Sequence, residues 1–273
     1  MTDIHIVGLG VTSIHQITRE AEQAITESNE VLYLDTGVAT RRFLEQRCER
    51  VTGLHEISYE EGGQRLNAYH HMAAAVVDAA MSRPPVTFAV HGHPLVAVYA
   101  PFLIMDMAEL LGLTVRIAPG VSAFDSIVAA LGVDPCVEGL QMYEATDLLL
   151  RRRPLQADVP ALIWQIGNLE TRLHTLRVSR PERFERFVNH LRQFYPDTHP
   201  VVAIYTPPHP LMPAEILRFP LQKMPRHAAE IHAGFSLYVP AAQDRPVLDA
   251  DLLAGLDSAA HLGRITRQAP GAA

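Results

Sequence analysis

The sequence predicts an α/β fold in two lobes with candidate ligand-binding turns at its strand ends, and three observations predict it. Short β-branched runs alternate with longer stretches of helical periodicity, the pattern of strands joined by helical crossovers into a mostly parallel sheet. The alternation runs unbroken to about Gly120 and then restarts with fewer helices. Glycine-bearing turns close several strands, and such turns at the carboxyl ends of open sheets are where ligands bind. The expected division is a first α/β lobe over 1–120, a second over 121–245 and a tail over 246–273.

The elements follow in order. "IHIVGLG" reads as a first strand ending in a glycine turn, "TREAEQAITESN" as a helix, "VLYL" as a second strand and "VATRRFLEQR" as a helix. "LNAYHHMAAAVVDAAM" has apolar residues at helical spacing, and it precedes the strand "VTFAV". A helix over "AVYAPFLIMDMAELL" and the strand "TVRIAPG" complete the first layer. Beyond "VSAFDSIVAALG", the strands "PALIWQI", "PVVAIYTPP" and "GFSLYVPAA" surround the helix "RPERFERFVNHLRQFYP". The apolar stripe of that helix suits a dimer core or a partner surface, and burial is the commoner fate of such stripes. The tail after about Asp244 ends in "RQAPGAA" and is expected to fray.

Composition narrows the function classes. With 273 residues and 48% of them hydrophobic, the chain is large enough for a full core. A formal net charge of −7 argues against nucleic-acid binding, which wants a basic surface. Arg151-Arg152-Arg153 reads as a solvated helix end. No apolar run approaches the roughly 18 residues of a membrane span, and the N-terminus carries no signal sequence. A cytoplasmic protein without membrane contact is expected. Cys48 and Cys136 lie far apart and form neither a disulfide framework nor a zinc knuckle.

Three turns stand out: Gly8-Leu9-Gly10, His91-Gly92-His93-Pro94 and Pro119-Gly120-Val121-Ser122-Ala123. Glycine lets the backbone come close to a ligand. Gly8 and Gly10 taken alone are no more than a tight turn, because the further glycine of the dinucleotide fingerprint is missing. His91 and His93, two apart without cysteine or carboxylate partners, do not make a zinc site, and no metal is expected. His93 reads as a side chain that pins its loop by hydrogen bonding.

Taken in order along the chain, "VGLG", "GHPLV" and "PGVSAFDSIVAALGVDP" resemble the turns of the tetrapyrrole methylases, a family of S-adenosylmethionine-dependent methyltransferases. The resemblance covers roughly residues 1 to 245. It implies the two-lobed tetrapyrrole methylase (class III methyltransferase) fold, with the cofactor in the cleft and S-adenosylhomocysteine as product. It implies contacts to the cofactor at Gly8, Gly10, His93, Pro94, Val96, Ala97, Ser122 and Ala123. Gln165, Tyr205 and the Pro240-Ala241 segment would close over it from the second lobe.

The methylated atom must be sought elsewhere. "SYEEGGQRLNAYHHM" places Tyr59 just before a helix that would carry Arg65 and Tyr69 on one face, four residues apart. By residue type alone, two tyrosines with an arginine stacked on them are most often surface packing. The stretch "YEEGGQRLNAYHHM", with "LIWQIGNLETRLHTL" and "FYPDTHPVVAIYTPPHPLMPAEILRFPLQKMP", resembles the borosin peptide-backbone α-N-methyltransferases, most closely the split bacterial type. That resemblance implies Tyr59 as base, Arg65 as the group that lowers the phenol's pKa and holds the amide oxygen, and Tyr69 as a second phenol. This chain has Glu56 and His91 where the fungal enzymes have tyrosine, which leaves the proton route open and makes His91 a candidate proton carrier. The chain stops soon after the second lobe, so the substrate is expected in trans as a separate precursor peptide. A homodimer is expected by analogy. Two other readings stand beside this one: a tetrapyrrole or corrin carbon methyltransferase, and an inactive peptide-binding module.

Overall fold

The described residues of the computed structural model are 2–55 and 59–267. The first sheet has strands β1 (Ile4–Gly8), β2 (Glu30–Leu34), β3 (Val51–Gly53), β4 (Val86–Val90) and β5 (Val115–Ala118). All pairings are parallel, in the order β3-β2-β4-β1-β5. Helices α1 (Arg19–Glu27), α2 (Val38–Glu45), α3 (Arg65–Ser82) and α4 (Ala100–Leu111) lie between successive strands. Both faces of the sheet are buried, which explains the continuously apolar strands. Ile4, Ile6, Val86 and Phe88 face a core with α3 and α4, while Val7, Val31, Tyr33 and Ala89 face a core with α1 and α2.

The second sheet has strands β6 (Gln141–Glu144), β7 (Ala161–Trp164), β8 (Pro200–Tyr205), β9 (Glu215–Pro220) and β10 (Ser236–Val239). Their order is β6-β7-β10-β8-β9, and only β6 with β7 is a parallel pair. Helices α5 (Ala123–Leu131), α6 (Ala145–Leu150) and α7 (Glu182–Leu191) complete this part. The two-residue period of β7 sends Ala161 and Ile163 to one face, packed with Leu148 of α6 and Phe184 and Phe187 of α7. Leu162 and Trp164 go to the other, packed with Ile127 of α5. The α7 stripe, for which the sequence left a dimer core or a partner surface open with burial as the commoner fate, is buried in the chain's own core.

The structure departs from the sequence reading elsewhere. Helix α4 begins at Ala100, not at Ala97, because Ala97 takes φ 56° and Pro101 sits in the first turn. Strands β6 and β9 were not expected, because they alternate partly exposed polar and apolar residues. The tail carries α8 (Ala250–Gly255) and α9 (Ala259–Ile265), capped by Asp249 and Ser258, although neither helix buries a side chain.

Strands β4, β1 and β5 are adjacent, so their carboxyl ends share one spot. A Cβ on Gly8 would come within 2.5 Å of the Gly92 carbonyl oxygen and 2.8 Å of Gly120 Cα. A Cβ on Gly120 would meet the Gly92 oxygen at 2.6 Å. Backbone hydrogen bonds lock the first two turns together: Gly92 N–H donates to Gly10 O at 2.8 Å and Leu9 N–H to Val90 O at 2.8 Å. The three turns thus pack main chain on main chain. Gly120→Ala should lower the free energy of unfolding by about 2 kcal/mol or more, as overpacking against backbone does. Gly263→Ala, in α9 with open space around it, should cost nothing measurable. Urea denaturation of both variants checks this, and equal midpoints would contradict it.

Candidate active site

A cavity of about 250 Å³ opens at this junction, walled by the loop from His91 to Val98 together with Val11, Leu34 and Ala123. Of the residues proposed for cofactor contact, His93, Val96, Ala97 and Ala123 line it. Gly8, Gly10 and Pro94 stand behind the wall: Gly10 is bridged to Gly92, and Pro94 is buried. Ser122 sits at the amino end of α5. Its hydroxyl accepts from Asp125 N–H at 3.3 Å while its own N–H donates to Asp125 Oδ2 at 2.7 Å, a capping box. Burial pushes the Asp125 carboxyl up, but these hydrogen bonds and the nearby His93 hold it below its ordinary value. His93 Nδ1 accepts from Leu95 N–H at 3.1 Å, so it pins its own loop.

Ala97, exposed at φ 56°, holds a left-handed conformation that favours glycine, and such residues cluster at ligand sites. Apolar side chains and main-chain groups suit a nucleoside-like molecule gripped without an acidic anchor. The volume falls below the roughly 300–1,000 Å³ of whole-ligand pockets, so it has room for only part of such a molecule.

The second sheet supplies a different set than expected. Gln165, at φ 59°, ends β7, and Tyr205 ends β8. Strand β10 runs antiparallel to both, so Pro240 and Ala241 emerge at the opposite end of the sheet, where Pro240 O accepts from His199 Nε2 at 2.9 Å. The structure does not bring Pro240 and Ala241 together with Gln165 and Tyr205. The segment His232–Gly234, just before β10, takes that place. The His232 ring lies edge-on to Tyr205 at 4.5 Å, and a Cβ on Gly234 would meet the Tyr205 ring at 2.7 Å. Antiparallel pairing was not legible in the sequence, and it decides this point.

The tyrosine cluster adjoins the cavity. Val98 lines the cavity, and the next residue, Tyr99, places its ring 6.0 Å from that of Tyr69. Helix α3 begins at Arg65, so Arg65 and Tyr69 share a face. Tyr59 sits edge-on to Tyr69, with ring centroids 6.4 Å apart. His55 at 5.2 Å and His174 at 4.8 Å flank the Tyr59 ring, neither of them singled out by the sequence. Arg65 Nη2 donates to Thr171 O at 2.6 Å.

The sign of the Tyr59 shift corrects an expectation. Burial raises its pKa well above the ordinary value of 10.0, the Tyr69 phenol and their hydrogen bond add to the rise, and Arg65 only partly offsets it. Tyr59 is a phenol, not a phenolate. His91 lines the cavity, with Nδ1 3.4 Å from Asp35 Oδ2, and among the described residues neither a hydrogen bond nor a ring contact joins it to the tyrosines. Glu56 lies outside the described residues. Among the described residues no group of three or more metal-binding side chains converges, and no helix is long and apolar enough to cross a membrane.

A larger cavity, about 1,080 Å³, lies between α6, α7 and the segment Glu170–Leu173. It shares no lining residue with the first.

Comparison with known proteins gives a consistent result. A family model described as tetrapyrrole (corrin/porphyrin) methylases matches residues 3–206. The methyltransferase and precursor of the cyclic peptide omphalotin A from Omphalotus olearius is 32% identical over 197 residues, covering 72% of this chain and 47% of that protein. The corresponding gymnopeptide protein of Gymnopus fusipes is 30% identical with the same coverage. A type III borosin methyltransferase/precursor from Anomoporia bombycina is 28% identical over 94% of this chain and 29% of its own. The chain spans about half the length, or less, of these curated relatives. In fold it is similar to the methyltransferase CobJ, with a TM-score of 0.63 at 16% identity over 90% of this chain and 97% of that one. It is also similar to a Thermus thermophilus uroporphyrin-III C-methyl transferase solved with S-adenosyl homocysteine, with a TM-score of 0.58 at 15% identity over 87% and 91%.

Tyr59, Tyr205, Tyr238 and Tyr195, the last raised to about 12, all have elevated pKa values in the folded chain. An acid whose folded pKa is raised contributes its full stability below its unfolded pKa and loses it as pH rises through the folded one. Stability should therefore fall from about pH 10 upward. Tyr59→Phe should make that decline shallower in denaturation curves taken across this range, and an unchanged slope would contradict the burial of the phenol.

Proposed function

The chain belongs to the tetrapyrrole (corrin/porphyrin) methylases, and on that premise we propose that it methylates backbone amide nitrogens of a separate precursor peptide with S-adenosylmethionine. The observation that carries this reading is a partly buried, edge-on pair of phenols, Tyr59 and Tyr69, beside an arginine and next to a main-chain-walled cavity. Identity of 30–32% to borosin methyltransferase/precursor proteins over 72% of the chain supports the peptide substrate.

The junction cavity would take one end of S-adenosylmethionine, with Val96, Ala97 and Ala123 as the residues that would hold it and Ser122 fixing the start of α5. When bound, the cofactor supplies an electrophilic methyl group, which moves from sulfur to the amide nitrogen. What remains is the work of the chain. An amide N–H is a very weak acid, so its nitrogen becomes nucleophilic only as the proton leaves.

Tyr59 need not ionise first. The neighbouring Tyr69 oxygen can accept the Tyr59 proton. The Tyr59 oxygen takes the amide proton as its own proton passes to the Tyr69 oxygen, and Tyr69 releases one proton to water. Each step breaks one O–H or N–H bond and forms another, and the net product is one proton in solution. Arg65, held by Thr171 O, presents positive charge where the amide oxygen becomes imidate-like. The enzyme acts as a homodimer on a peptide supplied in trans.

The test is intact-mass analysis of a short peptide encoded beside this chain after incubation with protein and S-adenosylmethionine. Stepwise methyl gains, located by fragmentation on backbone nitrogens, are expected. Tyr59→Phe should slow them roughly 100-fold or more while leaving cofactor binding in place. Methylation of uroporphyrinogen or a precorrin with no gain on peptides would overturn the reading in favour of a tetrapyrrole carbon methylase. Failure to bind the cofactor would favour an idle peptide-binding module.

A further inference from the structure

We propose that His174 is a positioning residue for Tyr59, and that the strap from Thr171 to Arg177 sets where the Tyr59 phenol sits; the catalytic consequence rests on the methyl-transfer reading above.

Tyr59 and Glu60 lie outside any helix or strand, so the loop needs support from elsewhere to hold one geometry. The strap supplies it. Gly62 N–H donates to His174 O at 2.8 Å, His174 N–H to Gly63 O at 2.8 Å, and Arg65 N–H to Arg172 O at 3.0 Å. These bonds make a short antiparallel ladder with Gln64 opposite Leu173. The same strap takes the Arg65 guanidinium through Thr171 O at 2.6 Å. Its far end is tied by Glu61, whose carboxylate accepts from Thr175 Oγ1 at 2.8 Å and Leu176 N–H at 2.9 Å, with Arg177 Nε at 3.3 Å. Those bonds, from Leu176 first and then Thr175, hold the Glu61 carboxyl below its ordinary value. One segment thus fixes both Tyr59 and Arg65 relative to Tyr69.

Within the strap, His174 alone stacks on the phenol. Its ring lies 4.8 Å from that of Tyr59 at 31° between planes, whereas Tyr69 meets Tyr59 at 90°. A tilted ring packed on one face and an edge-on ring beside it leave the Tyr59 ring little freedom, and the phenol stays beside Tyr69. The shape of the imidazole, not its proton, does this. Removing the ring opens that face to water and frees the phenol to swing off Tyr69, since a shift of about 1 Å in a reacting group is enough to cost roughly 100-fold in rate.

The experiment labels the ring Cζ of the eight tyrosines with ¹³C in the full chain and follows the Tyr59 resonance, assigned from its loss in Tyr59→Phe, against pH. His174→Ala should lower the Tyr59 midpoint toward the ordinary value by about one unit or more, and His174→Phe should restore the wild-type midpoint. In the methylation assay His174→Ala should lower kcat roughly 10- to 100-fold with the KM for S-adenosylmethionine unchanged, and His174→Phe should recover it. Glu61→Gln, on the exposed end of the strap, should move the midpoint in the same direction by less, and it decides the matter if His174→Ala does not fold. An unchanged Tyr59 midpoint in both His174→Ala and Glu61→Gln would overturn the proposal. So would a His174→Phe variant that restores the midpoint but not kcat, because the imidazole's proton would then be needed. If the wild type transfers no methyl to peptides, the functional reading fails while the titration still decides the role of His174.

Discussion

Everything at the site depends on glycines at three neighbouring strand ends: Gly8 and Gly120 leave no room for a side chain, and Gly92 takes a left-handed φ of 73°. Gly8, Gly92 and Gly120 end or follow neighbouring strands, and a Cβ on Gly8 or Gly120 would lie 2.5 to 2.9 Å from backbone atoms, the Gly92 oxygen among them. Close approach of β-strand ends brings the 91–98 loop and the start of α5 to one point. The cavity is the space those two segments leave. Because α5 packs its other residues on the second sheet through Ile127 and Phe124, the same junction carries the chain from the first core to the second.

A second constraint is dielectric. Tyr59 sits against the core that Phe88, Ala68 and Met72 help to form, and there burial outweighs a nearby guanidinium. An exposed tyrosine beside an arginine would shift the other way, so the balance is set by packing and not by residue pairing. A phenol kept protonated is useless as a pre-ionised base but well suited to pass a proton along a hydrogen bond. Tyr69 stands edge-on beside Tyr59, and the strap from Thr171 holds both the Tyr59 loop and Arg65 in place.

Local chemistry was legible in the sequence, and long-range pairing was not. Alternating apolar periods located the parallel strands and their helices, because strands buried on both faces read as continuous apolar runs. The turns at Gly8, Gly92 and Gly120 could be found from residue type, and the placement of Arg65 and Tyr69 on one face followed from helical spacing. By contrast β9, "EILRFP", mixes charge with apolar residues at a sheet edge and gives no clear period. The antiparallel course of β10 puts His232–Gly234 where Pro240–Ala241 was expected. The stretch "LIWQIGNLETRLHTL" marked the strap through its likeness to borosin enzymes, yet nothing in it announces that His174 stacks on Tyr59. The direction of the Tyr59 shift was likewise out of reach, because it turns on how deeply a loop residue packs.

The most direct test of the central claim is a titration of S-adenosylhomocysteine into ¹⁵N-labelled protein, read as shifts of assigned backbone amides. The junction account predicts saturable shifts concentrated at Val11, Gly92, Val96, Ala97 and Ala123, the residues around the smaller cavity. Saturable shifts confined to Glu170–Leu173 and α7, around the larger cavity, would contradict it, as would no shifts at all.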